Sequence, residues 1–206
     1  AEGYLGSYEG KPTGSEGIAS TLSFNMNKNF TSGQGGAFCT NDDELFNYIS
    51  SYTRHGFTGQ KFHYKMIGNN YRMSNVSAAI LLSQIEQEEE ILKKKKKSYQ
   101  LYKELLSNEQ KIRIQRTYDN TISSYWNIAI RIVGNSSYKD IERKLLEHNI
   151  ETRPVFLPFQ EFEHLKEIPI NLNSNSVKIH NEYCLIPFNV DEKIIEYICK
   201  TLKNII

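Results

Sequence analysis

The sequence predicts an α/β fold. Short apolar, β-branched runs that read as strands alternate with longer stretches of helical periodicity. Glycine, asparagine and aspartate mark the joints between them. Aromatic residues make up 12% and hydrophobic residues 39% of the 206, enough for a packed core. A chain of this length forms one large domain or two small ones.

In order, "AEGYLGSYEGKPTGSEG" (1–17) shows neither period and is glycine-rich, so it reads as loop. A domain beginning there would begin inside a loop, and Ala1 is not expected to be the natural start. "IASTLSF" (18–24) reads as a buried strand and "GGAFCT" (35–40) as a second, entered through two glycines. Asn41, Asp42 and Asp43 offer caps for a helix that Gly56 stops near His55. Residues 57–73 are aromatic and loop-like. From Ser74 one long helix is expected, with Val76, Ala79, Ile80, Ile85, Leu92, Tyr99 and Leu106 near helical spacing; at about 1.5 Å per residue it would span roughly 45–50 Å. Its charged run, three glutamates and five lysines within Glu88–Lys97, reads as a solvated face. Beyond it "KIRIQR" (111–116), "YWNIAIRIV" (125–133), "IETRPVF" (150–156) and "CLIPF" (184–188) read as strands. Helices are expected at 137–149, capped by Ser137, at Glu161–Lys166, and at 191–206, capped near Asp191. Residues from about 108 onward thus make a small α/β domain.

The formal charge of +1 gives no reason to expect nucleic acid or an acidic membrane as partner. Cys39, Cys184 and Cys199 are too sparse for a disulfide framework or a structural zinc site, so all three are expected as buried thiols in a reducing, cytoplasmic compartment. No run approaches membrane-spanning length and no signal peptide is visible. The N-x-S/T triplets at Asn29, Asn75 and Asn135 read as chance. His55, His63, His148, His164 and His180 have no metal-ligand spacing, so no metal is expected.

One stretch carries chemistry: "LSFNMNKNFTSGQGGAFCT" (22–40). A lone Lys28 follows a stiff strand and precedes Gly33, Gly35 and Gly36, which let backbone approach a ligand and supply amides. Ser23 offers a hydroxyl at the strand end. A partly desolvated lysine amine suits a Schiff base with a carbonyl, while amides and a hydroxyl suit a phosphate. An aldehyde and a phosphate on one small molecule describe pyridoxal phosphate. Against this stands the ordinary alternative of a solvated loop lysine.

The segments "AEGYLGSYEGKPTGS", "LSFNMNKNFTSGQGGAFCTNDDEL", "RHG" and "IGNNYRMSNVSAAILLSQIE" closely resemble the DegT-type sugar-nucleotide aminotransferases, and "IETRPVFLP" (150–158) resembles a further segment that recurs among them. The resemblance covers nearly the whole chain. It implies the aspartate-aminotransferase-like fold (fold type I): residues 1–75 as the end of the large cofactor-binding domain, 76–107 as a long linking helix and 108–206 as the small C-terminal domain. It also implies a full member about twice this length. The other half would carry most of the large domain's sheet, the ring that stacks on the cofactor and the aspartate that pairs with its pyridinium nitrogen. On that expectation residues 1–206 are not a complete enzyme.

Residue by residue, the resemblance implies that Lys28 holds pyridoxal 5'-phosphate as a Schiff base and then moves a proton on the substrate carbon. Ser23 matches a phosphate ligand. Asn70 matches an asparagine that reaches the phosphate of a neighbouring subunit, which implies a homodimer with a shared active site; a turn asparagine is its plain alternative. Glu2 matches a position near the cofactor's face or the substrate. Arg153 is a candidate for the substrate's phosphates, with a structural strand arginine as its alternative. The implied reaction moves an amino group from an amino acid, L-glutamate by analogy, to a nucleotide-linked keto sugar of the 4-keto-6-deoxy kind, for surface-glycan building blocks. Gln34, Asn69 and Gln160 depart from the family's usual Glu, aromatic and His, which bears on substrate contacts more than on the cofactor. Two rivals are a keto-sugar dehydratase of the same fold, which replaces the lysine by histidine, and a non-catalytic fragment.

Overall fold

The computed structural model describes residues 2–134, 138–165, 167 and 174–206. In chain order the elements are β1 (Ser7–Tyr8), β2 (Lys11–Pro12), β3 (Ala19–Ser23), β4 (Gly36–Thr40), α1 (Asp43–Tyr52), α2 (Asn75–Ile85), α3 (Glu88–Leu105), β5 (Ile112–Ile114), β6 (Thr121–Ile122), β7 (Ile128–Ile132), α4 (Tyr138–Leu146), β8 (Arg153–Pro154), α5 (Asn175–Glu182), β9 (Tyr183–Ile186) and α6 (Glu192–Ile205), with single 3-10 turns at Phe159–Glu161 and Glu163–Leu165. They fall into two compact units: Ala1–Leu92 with Thr117–Trp126, and Lys93–Arg116 with Asn127–Ile206. Residues 117–126, read from the sequence as part of the last segment, therefore group with the first unit.

In the first unit β3 and β4 form an antiparallel hairpin in which Ser23 faces Gly36. The expected opening loop contains a second hairpin, β1–β2, to which β6 adds a third strand. Its turn residues Glu9 (φ 49°) and Gly10 (φ 79°) are both left-handed, the twist a two-residue hairpin requires. Strands two residues long carry no alternation to read. α1 starts where Asp42 accepts from the Leu45 amide at 2.9 Å and ends three residues before the expected His55, with Thr53 at its C-terminal cap. The unit's core is Phe24, Phe30 and Leu81, surrounded by Tyr4, Leu5, Leu22, Ala37, Met73, Ile85 and Ile91. Phe30 is 1% exposed and meets Tyr4 edge-on at 5.4 Å.

The long helix expected from Ser74 is two helices, α2 and α3, separated at Glu86 and Gln87. The three glutamates that looked like one side of ion pairs occupy the first turn of α3, where the helix dipole favours negative charge. The acidic run is thus a helix start. The lysine run is not wholly solvated either: five consecutive residues turn through more than a full circle at about 100° each, so one must face inward. Lys95 does, at 6% exposure.

The second unit is a four-stranded antiparallel sheet of order β5-β7-β9-β8. β7 is buried along nearly its whole length, as the unbroken apolar run "IAI" foretells. Ile195, Ile198, Cys199 and Leu202 line one face of α6 at helical spacing, and all are at most 2% exposed. Burying each of the three large aliphatics contributes roughly 1.5–3 kcal/mol. The strand expected at 150–156 shrinks to β8, an edge strand, where Pro154 costs no ladder bond. The expected helix at Glu161–Lys166 is two 3-10 turns, its last residue lying outside the described residues, as does the Ser137 cap. α5 falls in a stretch to which the sequence analysis assigns no element; Ser174 caps it. Of the thiols expected buried, Cys184 and Cys199 are, but Cys39 is exposed on the hairpin. Burial pushes the Cys184 thiol up to about 12 and that of Cys199 up to about 11.

Candidate functional site

Lys28 lies between β3 and β4, in the turn where its amide donates to the Asn25 carbonyl at 3.0 Å. Its neighbours in sequence are fastened one by one. The Trp126 indole N–H donates to the Asn27 carbonyl at 2.6 Å. Asn29 Nδ2 donates to the carbonyls of Ser124 (2.8 Å) and Tyr4 (3.3 Å). Phe30 fills the core. Gln84 of α2 grips Thr31 at both backbone groups, accepting from its amide at 3.1 Å and donating to its carbonyl at 2.6 Å. The loop that bears the amine is thereby held from α2, from the 117–126 segment and from the core.

The Lys28 side chain is 12% exposed. Its ammonium pairs with the Glu2 carboxylate and lies 4.3 Å from the centre of the Trp126 ring. The hydrogen bond from Lys28 holds the Glu2 carboxyl below its usual range, against an opposing effect of burial. Ser124 Oγ donates to the Glu2 carbonyl at 2.8 Å, so the same segment steadies both partners of the ion pair.

The glycines have other duties than those expected of them. The Gly33 amide is spent on Thr31 Oγ1 at 2.9 Å, and the Gly35 carbonyl accepts from Phe24. A Cβ at Gly35 (φ 142°) would meet Met73 Cε at 2.5 Å, and one at Gly36 would meet the Leu22 carbonyl oxygen at 2.7 Å. These positions are glycine because the turn packs tightly on itself and on the entry to α2.

Of the five candidate residues, the structure brings Lys28 and Glu2 into contact and sets Ser23 in the same hairpin. Asn70 is exposed and sits in a loop bridged to Arg54. Arg153 lies exposed in the second unit, on β8. Sequence reading missed Trp126, Gln84 and Asn29. The first is the sequence's one tryptophan, and the second is the one amide in the largely apolar "AAILLSQI". Asn29 leaves its Oδ1 buried without a hydrogen-bond partner.

A pyridoxal phosphate molecule needs an amine for its aldehyde and donors for its phosphate. The sheltered Lys28 amine fits the first. The Ser23 hydroxyl accepts a 3.4 Å contact from the Asn25 amide, and an acceptor role there is compatible with donating its proton to a phosphate oxygen. Among the described residues no group of His, Cys, Asp and Glu is placed to hold a metal ion, and no helix is long and apolar enough to cross a membrane.

A family model described as the DegT/DnrJ/EryC1/StrS aminotransferase family matches residues 1–203. GDP-perosamine synthases of Escherichia coli O157:H7 and Vibrio cholerae are each 32% identical to the chain, over 77% and 95% of it and 43% and 54% of their own lengths. The chain spans about half the length of these curated relatives. Helicobacter pylori PseC, an aminotransferase involved in the biosynthesis of pseudoaminic acid, superimposes with a TM-score of 0.91 over 100% of this chain and 57% of its own, at 20% identity. An E. coli GDP-4-keto-6-deoxy-D-mannose-3-dehydratase with bound hydrated PLP does so at 0.85, over 98% and 58%, at 18% identity.

Proposed function

Because the chain belongs to the DegT/DnrJ/EryC1/StrS aminotransferase family, we propose that it carries the reactive lysine of a pyridoxal-phosphate enzyme that transfers an amino group to a nucleotide-linked keto sugar. The amino donor in this reading is an amino acid, L-glutamate, and the acceptor a 4-keto-6-deoxy sugar, for which the perosamine synthases are the supporting relatives. The observation that carries the reading is the placement of Lys28: an amine sheltered from solvent, on a loop fastened at residues 27, 29, 30 and 31, beside a carboxylate. A solvated loop lysine has none of these.

When bound, pyridoxal phosphate supplies an aldehyde carbon for amines and a ring that withdraws the electrons left behind by a departing proton. The chain's residues do the rest. Lys28 Nζ anchors the cofactor and, once released, takes the proton from the donor's α-carbon and returns one to the sugar carbon that receives the amine. Glu2 stabilises the lysine whenever it carries that proton, since its carboxylate already lies against the ammonium. Ser23 donates to the phosphate. Asn70, exposed on its loop, serves the phosphate of a second copy in a homodimer, and Arg153 pairs with the nucleotide's phosphates.

The dehydratase reading is separated by one experiment. The full-length protein is incubated with 15N-labelled L-glutamate and a nucleotide-linked 4-keto-6-deoxy sugar, and the sugar is weighed. Gain of the labelled nitrogen, lost in Lys28→Ala, is the expected result. Loss of water without nitrogen gain would replace the transfer by dehydration.

A further inference from the structure

We propose that Trp126 is a positioning residue for Lys28: its ring face holds the amine and its indole N–H fixes the backbone that carries it. The inference rests on the reading of Lys28 as the reactive amine. Both halves of the geometry are direct. Nζ lies 4.3 Å from the ring centre, within the distance at which a cation is attracted to an aromatic face. The indole N–H reaches the Asn27 carbonyl, one residue before the lysine, at 2.6 Å.

Trp126 sits at the end of residues 117–126, which lie between β5 and β7 in sequence but group with the first unit. The same segment sends β6 to pair with β1 and gives Asn29 an acceptor at Ser124. Tyr8–Thr121 and Ser7–Ile122 pairing fixes the strap's path, so the ring reaches Lys28 from an anchored backbone. A lysine has four rotatable side-chain bonds, and an amine that must meet one carbon is useful only in a narrow range of them. The ring closes one side of that range and the Glu2 carboxylate sets the other. The carboxylate draws the ammonium by charge, and the ring face draws it through the π electrons while covering one side of the amine. Trp126 therefore adds to Glu2 a second wall that limits where the Lys28 amine can point.

The test uses the full-length protein and two variants. Trp126→Phe keeps a ring face and loses the N–H; Trp126→Leu loses both and keeps apolar bulk. Cofactor-free protein is acetylated briefly with acetic anhydride, and Lys28 modification is read by peptide mass spectrometry against the other lysines of the same digest. Trp126→Leu is expected to raise Lys28 labelling at least fivefold with the other lysines unchanged, and Trp126→Phe less than twofold. Hydrogen exchange at the amides of 27–29 is expected to quicken in both, since both lose the bond to Asn27. At equal cofactor occupancy, the fraction trapped on Lys28 by borohydride should fall at least twofold in Trp126→Leu. Lys28 labelling at the parent rate in Trp126→Leu would overturn the proposal. So would labelling that rises at every lysine, which marks general loosening. The labelling arm needs no cofactor, so it decides the positioning even if trapping places the cofactor elsewhere, the result that would sink the function proposed above.

Discussion

Gln84→Ala is expected to loosen the Lys28 loop, because Gln84 holds Thr31, three residues beyond the lysine, at both backbone groups. Besides a bond to the Ile80 carbonyl of its own helix at 3.1 Å, the side chain makes two hydrogen bonds to Thr31, of 3.1 and 2.6 Å, and these two hold the loop. Each is worth about 0.5–1.5 kcal/mol net, so their joint loss costs roughly 2 kcal/mol, more if Thr31 stays buried and unpaired. A local opening eased by that much quickens exchange of the Thr31 amide by about thirtyfold. Hydrogen exchange resolved to peptides spanning 27–33 measures it directly, with urea unfolding as the global reading. Gln84→Glu is the sharper control: it retains an acceptor for the amide but sets a carboxylate oxygen against the Thr31 carbonyl. Its penalty at neutral pH should ease as the carboxyl protonates below about 4.3. Unchanged exchange at Thr31, with less than about 0.5 kcal/mol lost in urea, would refute the clamp.

Phe30→Ala empties the most buried position of the first unit's core and is expected to cost about 3–5 kcal/mol in urea unfolding, enough to lose the native state in a marginal protein. Lys95, whose pKa burial lowers and whose hydrogen bond goes to Asn189 Oδ1 at 3.3 Å, should be tolerated better as Met. Burial penalises its ammonium in full below the depressed folded pKa; from there up to the ordinary 10.5 the unfolded chain holds the proton longer, so stability rises with pH. Lys95→Met should add roughly 1 kcal/mol at pH 7 and flatten that rise, and a stability–pH curve identical to the parent's would contradict it. Cys184 and Cys199 should resist iodoacetamide in the native state and react only in denaturant, since burial and raised pKa values both disfavour the thiolate. Mixing Lys28→Ala with Asn70→Ala subunits should restore activity that neither shows alone; no recovery in verified heterodimers would remove Asn70 from a shared site.

What could be read in the sequence is what periodicity and caps encode. The β3–β4 hairpin around Lys28, the cap at Asp42, the buried β7 and the amphipathic α6 all follow from local pattern. The lysine stood out because a lone charge between a strand and a glycine-rich turn is chemically odd. What escaped was non-local. Trp126 lies 98 positions from Lys28 and Gln84 lies 53 from Thr31, separations no window of sequence spans. The glycines were misread for the same reason. Gly33 and Gly35 have φ > 0, a local need, but the Leu22 carbonyl that excludes a side chain at Gly36 comes from the facing strand, and Met73 beside Gly35 from the entry to α2. The break between α2 and α3 has neither Gly nor Pro to announce it; only the triple glutamate hinted at a second helix start.

Lys28 is proposed above as the amine that carries pyridoxal phosphate. The full-length protein, loaded with the cofactor and reduced with borohydride, should yield one pyridoxyl-modified peptide covering "NMNKNF", with the modification at Lys28 and none in Lys28→Arg. Pyridoxyl on another lysine, or on none at full cofactor occupancy, would contradict the account.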